Sequence, residues 1–143
     1  IGNFSGEPTS FFRQHDTWFF SEDSDKVKLA NATLPKLTFG LSFADINLDG
    51  WLDLLIANGH VEPEIASAFA QERYRQPLQY FENAQDGSFV DRGKNIPALA
   101  APMVGRGLAV GDLDNLGGEF ADEVHVVRNE DERSGVAVEG EDE

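Results

Sequence analysis

The chain has 143 residues, 41% of them apolar and eleven of them phenylalanine, enough to bury the core of one ordinary domain. Eleven basic against 26 acidic residues give a formal charge of −15, which repels nucleic-acid phosphates and anionic lipid and makes metal cations the better-suited charged partner. The absence of cysteine excludes disulfides, zinc–thiolate centres and a thiol nucleophile, and no apolar run reaches the roughly 18 residues of a membrane helix.

The N-terminus, "IGNFSGEP", has neither the basic start nor the apolar stretch of a signal peptide. After it, "FRQHDTWFFSE" (Phe12 to Glu22) is rich in strand-forming aromatics. From Leu37 onward apolar residues alternate, with Leu37, Phe39, Leu41 and Phe43 expected on one face of a strand. The acidic stretch "DINLDGWLD" (Asp45 to Asp53) comes next, then a short apolar run closed by Asn58 and Gly59. Residues 64–76 carry helix formers, with Ile65, Ala68 and Phe69 at helical spacing, and predict a short helix or ordered loop. "LQYFENAQDGSFVD" reads as two short strands around the turn Gln85-Asp86-Gly87. "RGLAVGDLDNLG" (Arg106 to Gly117) begins another strand and acidic loop, and residues 130–143, with seven acids and one arginine, predict a disordered tail.

Three of these stretches are echoed within the chain. Phe39–Gly50 matches Arg106–Gly117 at an offset of 67 residues, Phe12–Glu22 matches Phe81–Asp91 at 69, and Ile1–Pro8 matches Ile56–Pro63 at 55. One order shared by three pairs means a repeated unit that has taken up an insertion, here residues 64–76. Four short antiparallel strands per unit predict an all-β chain of β-propeller-type blades with one short helical insertion. Residues 1–36 then supply the C-terminal strands of a partial blade, 37–105 a blade, and 106–129 the start of a further, degenerate one. Two such units fall short of the about four to eight blades of a closed propeller, so an incomplete propeller with exposed blade faces is expected.

The loop Asp45–Asp53 carries the clearest chemistry. Calcium takes about six to eight oxygens, and alternate residues of a tight loop can supply them. Asp45, Asn47, Asp49 and Asp53 stand at positions 1, 3, 5 and 9, the Trp51 carbonyl at position 7, and Gly50 permits the turn at position 6. All four side chains are expected to point inward. An EF-hand begins the same way but needs a glutamate at position 12, where this chain has Ile56, and helices on both flanks. Asp, Asn and Gly are also ordinary residues of a solvated hairpin turn. The second copy is weaker: Asp112 and Asp114 hold positions 1 and 3, and Asp122 reaches position 9 only across a two-residue insertion.

The run "LTFGLSFADINLDGWLDLLIANGHVEPEI", then "FENAQDGSFVD", then "GRGLAVGDLDN" resembles the FG-GAP/VCBS repeats that precede an ASPIC/UnbV module, a group that includes the cartilage acidic proteins. The resemblance covers roughly residues 1–117. It implies a calcium-bound propeller blade, an extracellular, cell-surface or periplasmic location, and interaction with protein or glycan ligands rather than catalysis.

Other candidates are thinner. His15, His60 and His125 lack a partner at metal-ligand spacing, and a surface or packing role is expected for His60. "GRGLAVG" has Val110 where a dinucleotide fingerprint needs glycine. Asn3 and Asn31 begin glycosylation sequons. Trp18, Trp51, Phe20, Phe81 and Phe89 are expected in inter-blade core. Two functional readings remain: a calcium-stabilised interaction scaffold, or part of a larger secreted propeller enzyme whose catalytic residues lie on the propeller face or in another domain.

Overall fold

The computed structural model of the chain describes residues 1–112 and 122–128. Along it lie β1 (Phe12–Asp16), β2 (Phe19–Glu22), α1 (Ala30–Thr33), β3 (Thr38–Ala44), β4 (Asp53–Asn58), α2 (Ile65–Ala68), β5 (Gln79–Asn83), β6 (Phe89–Asp91), α3 (Pro97–Ala100), β7 (Gly105–Asp112) and β8 (Asp122–Arg128). The fold is all-β and open. A four-stranded antiparallel sheet of order β3-β4-β5-β6 stands between two hairpins, β1-β2 and β7-β8, as one complete blade between two half-blades of an incomplete propeller.

The apolar run of β4 decides this arrangement. All six of its residues are buried, so both faces of the sheet must be covered. Leu54 and Ile56 point one way and meet Phe81, Phe89, Val27 and Leu29, with Phe11 packed alongside from the segment leading into β1. Leu55 and Ala57 point the other way, towards Tyr80, Leu78, Leu99 and Met103, with Leu108 and Val110 of β7 against them. Asn58 ends the strand fully buried, and its amide binds across three strands. Its Oδ1 accepts from the Thr38 hydroxyl at 3.1 Å, and its Nδ2 donates to the Pro77 carbonyl at 3.1 Å and to Gln79 Oε1 at 3.0 Å.

Gly40 sets the distance between blades. A Cβ there would stand 2.8 Å from the Leu108 nitrogen and 3.0 Å from the Gly107 carbonyl carbon, both backbone atoms. Only glycine lets β3 and β7 approach so closely.

The sequence reading and the structure differ at several points. Leu41 and Phe43, opposite Ile56 and Leu54, share a face of β3 and are exposed, whereas Leu37 is buried; a bulge at Phe39 breaks the alternation, and the exposed Phe39 ring lies under the Arg106 guanidinium of β7, 4.4 Å away. Phe81 and Phe89 are core residues as expected, but Trp18, Trp51 and Phe20 are exposed. Trp18 lies in the β1-β2 turn and Trp51 in the β3-β4 loop, and Phe20 lies on a hairpin face that no other element covers among the described residues. Within residues 64–76 only one turn of helix forms, α2, and two further single-turn helices, α1 and α3, appear where no helical periodicity was read. Tail residues 130–143 lie outside the described residues. Among those described, no helix is long and apolar enough to cross a membrane.

Gly40→Ala is expected to push β3 and β7 apart and destabilise the fold by about 1–3 kcal/mol. Urea unfolding should report this as a lower midpoint at an unchanged m-value, and an unchanged midpoint would show that the contact is not tight.

Candidate metal centre

The β3-β4 connection begins after Ala44, whose register partner is Asp53. Its turn is made by two residues in the left-handed region, Leu48 at φ 58° and Gly50 at φ 85°. Side-chain oxygens then accept the amides that the turn exposes. Asp45 accepts from the Asp49 N–H at 3.0 Å and, with its other oxygen, from the Gly50 N–H at 2.8 Å. Asn47 Oδ1 accepts from the Asp49 N–H at 3.1 Å, and Asp49 Oδ1 accepts from the Trp51 N–H at 2.9 Å. The Asn47 amide also donates to Asp49 Oδ2 at 3.2 Å. Asp45, Asn47 and Asp49 are thereby gathered on one short loop. This is the self-hydrogen-bonding that makes Asp and Asn suited to such turns.

Asp53 is employed differently. It is fully buried, and its carboxylate accepts from the Ile46 N–H at 3.3 Å, the Tyr80 hydroxyl at 2.9 Å and the Asn83 N–H at 2.8 Å. The reason is geometric: as the first residue of β4, it lies on the sheet face that Leu55 and Tyr80 share. A charge in that position needs donors on the spot. Asp45, Asn47 and Asp49 thus bind amides of their own loop, whereas Asp53, expected to turn inward with them, accepts from one loop amide and from two groups of β5 and so clamps strands. Consistent with that division, no three His, Asp or Glu side chains among the described residues are gathered as a metal-holding group. In the second copy, Asp112 and Asp122 are register partners at the end of the β7-β8 hairpin, and Asp114 lies outside the described residues.

Three contributors to the site had no signal in the loop motif. The β5-β6 turn leans on the acidic loop: Gln85 Nε2 donates to Asp49 Oδ2 at 3.1 Å, and Asn83 Nδ2 donates to the Leu52 carbonyl at 3.0 Å. Tyr80 is the third, through Asp53. They lie 27 to 36 residues from the groups they bind, and only the pairing of β4 with β5 brings them there.

Two ionisations are displaced. The Trp51 N–H, aided by the Gln85 and Asn47 amides, holds the Asp49 carboxyl below its ordinary value despite some desolvation. Burial, and then the hydrogen bond to the Asp53 carboxylate, push the Tyr80 phenol above its ordinary value. Of the histidines, His60 has the packing role expected: it is buried, its Nδ1 accepts from the Glu62 N–H at 3.0 Å and its Nε2 lies 3.3 Å from Glu72.

No protein-family model matches the chain, and no curated protein matches it significantly.

Tyr80→Phe removes one of three donors to a buried carboxylate and should destabilise the fold by about 1–3 kcal/mol in urea unfolding. In wild type, phenolate absorbance should show Tyr80 ionising only together with unfolding, and two independent ionisations in the folded protein would refute the contact. Because Asp49 is depressed in the folded state, its contribution is present above the ordinary carboxylate range and lost as pH falls through its lowered value. Melting temperatures of wild type and Asp49→Asn should therefore differ near neutral pH and converge in acid.

Proposed function

We propose that the loop Asp45–Asp53 holds a calcium ion that fastens β3 to β4, in a propeller-type blade acting as a scaffold for protein or glycan ligands. The observation that carries this reading is the gathering of Asp45, Asn47 and Asp49, all hard oxygen donors, on a loop whose turn is already built by Leu48 and Gly50. The Trp51 carbonyl, at position 7, would complete the near side.

The donor set suits calcium better than magnesium, which wants a smaller octahedral shell and keeps its waters. Asp53 would take a lesser part. A carboxylate offers about four lone-pair sites, and three are engaged by Ile46, Tyr80 and Asn83, leaving room for one bond to the ion. Water would fill the remaining positions, which implies weak binding, in the range of about 10⁻⁴–10⁻³ M typical of extracellular modules.

When bound, the ion would neutralise carboxylates that otherwise repel one another. The chain's own residues do the rest. Gln85 and Asn83 hold the loop against the β5-β6 turn, so stiffening the loop stiffens both connections at the same end of the blade. The resemblance to FG-GAP/VCBS repeats supports the same reading, since it resides in this loop and its flanks. An extracellular, cell-surface or periplasmic setting fits the affinity expected.

Calcium titration by calorimetry, with thermal melts in calcium and in chelator, tests the proposal. One main site is expected, and calcium at ten times its dissociation constant should add about 1.4 kcal/mol of stability. Asp49→Ala should abolish both the heat and the shift, whereas Asp53→Asn should lower stability in chelator as well. Absence of heat and of any melting shift in wild type would sink the metal reading.

A further inference from the structure

The insertion in the repeated unit, residues 64–76, walls a cleft at the end of the blade away from the acidic loop. β3 begins and β4 ends there, and the Gly59 N–H donates to the Leu37 carbonyl at 3.0 Å. Two turns form the rims of the cleft. In the first, the Glu7 N–H donates to the Phe4 carbonyl at 3.0 Å, and Gly6, at φ 88°, takes the left-handed position that a type II turn requires. The Gly6 N–H donates to the Leu34 carbonyl at 2.8 Å, which fixes this turn, with Ser5 at its corner, beside Leu34 and Pro35. The second turn follows α2, where the Glu72 N–H donates to the Phe69 carbonyl at 3.0 Å. Between the rims lies a volume of about 520 Å³, within the roughly 300–1,000 Å³ of small-molecule sites. Its walls are apolar at Leu34, Pro35, Ala68, Phe69 and Ala70, and the Phe69 ring has no cover, at 59% exposed.

Glu72 is the one charged residue that lines the cleft among the described residues. Its side chain is only 24% exposed, and its contacts leave its charge uncompensated. Ser5 Oγ donates to Glu72 Oε2 at 2.6 Å, bridging the two turns, and His60 Nε2 lies 3.3 Å from the same oxygen. Because His60 Nδ1 accepts from the Glu62 N–H, the ring proton is on Nε2 and the imidazole meets Glu72 as a neutral donor. No lysine or arginine pairs with this carboxylate among the described residues. A carboxylate largely withdrawn from water and lacking a cation favours a ligand that brings one.

The donor set narrows the choice of cation. A guanidinium binds best as a fork across both carboxylate oxygens, but Oε2 is engaged by Ser5 and His60. Calcium takes about six to eight oxygens, and one carboxylate with one hydroxyl falls far short. A compact ammonium needs only Oε1 and a lone pair of Ser5 Oγ. Such a head fills little of the cleft, and the apolar walls call for a hydrocarbon body behind it. We propose that this cleft binds a small primary amine, its ammonium on Glu72 and Ser5 and its aromatic or short alkyl body against Phe69, Leu34 and Pro35. The site lies at the opposite end of β3 and β4 from the acidic loop and does not rest on calcium.

The test is titration of phenylpropylamine into the isotope-labelled full chain, followed by amide shifts. Chelator keeps calcium out, and salt of about 0.15 M screens diffuse attraction to the −15 charge. Shifts should move and saturate at Ser5, Gly6 and residues 68–72. Phenylpropionate, with the same body and the opposite charge, should not bind. Propylamine, with the same head and no ring, should bind about tenfold more weakly or worse. Glu72→Gln keeps a side-chain oxygen for Ser5 and His60 but removes the charge, and should weaken the amine about tenfold or more. Ala68→Phe, at an exposed position of α2 that lines the cleft, should fill it and abolish binding. Melting curves report whether each variant folds, and if Glu72→Gln does not, Ala68→Phe and the two control ligands decide the matter. No saturable shift in wild type, equal binding of phenylpropionate, or an affinity that neither substitution changes overturns the proposal.

Discussion

The carboxylate of Asp53 is the constraint on which the blade depends. A fully buried charge is tolerated only where donors meet it, and here they come from the loop after β3, from the phenol on β5 and from the backbone at the end of β5. Satisfying that one group therefore fixes the start of β4 relative to both its neighbours. Asn58 does the corresponding work at the other end of the strand with a neutral amide. Between the two lie four apolar residues buried on both faces, so the strand is pinned by polar groups at its ends and by packing along its length.

From that strand outward the structure is a matter of who covers which face. The side bearing Leu55 and Ala57 is closed by β7, and Gly40 allows the backbones to approach until no side chain would fit between them. The side bearing Leu54 and Ile56 is closed only in part, by Val27, Leu29 and Phe11. Leu41 and Phe43 consequently remain exposed on a strand whose other face is packed, an asymmetry between two faces of the same sheet.

Much of this was legible in the sequence. The repeat offsets, the glycine turn at Gln85-Asp86-Gly87 and the acidic loop after β3 all follow from local patterns, and each appears at its expected place. Burial was less legible. Phe12 and Phe81 look alike in their repeats, yet one is half exposed and the other lies in the core. Alternation reports that residues share a face and is silent on whether anything covers it. The single-turn helices α1 and α3 were missed for a related reason: four residues cannot display a helical period.

The sequence by itself determined the strand order within the repeat, the turn chemistry and the gathering of Asp45, Asn47 and Asp49, because those depend on residues close together in the chain. Only the tertiary structure decided the role of Asp53, the support given by Tyr80, Asn83 and Gln85, and the faces left bare. Those depend on the pairing of β4 with β5 and on which blade stands beside which, and no spacing of residues along the chain encodes a partner about thirty residues away.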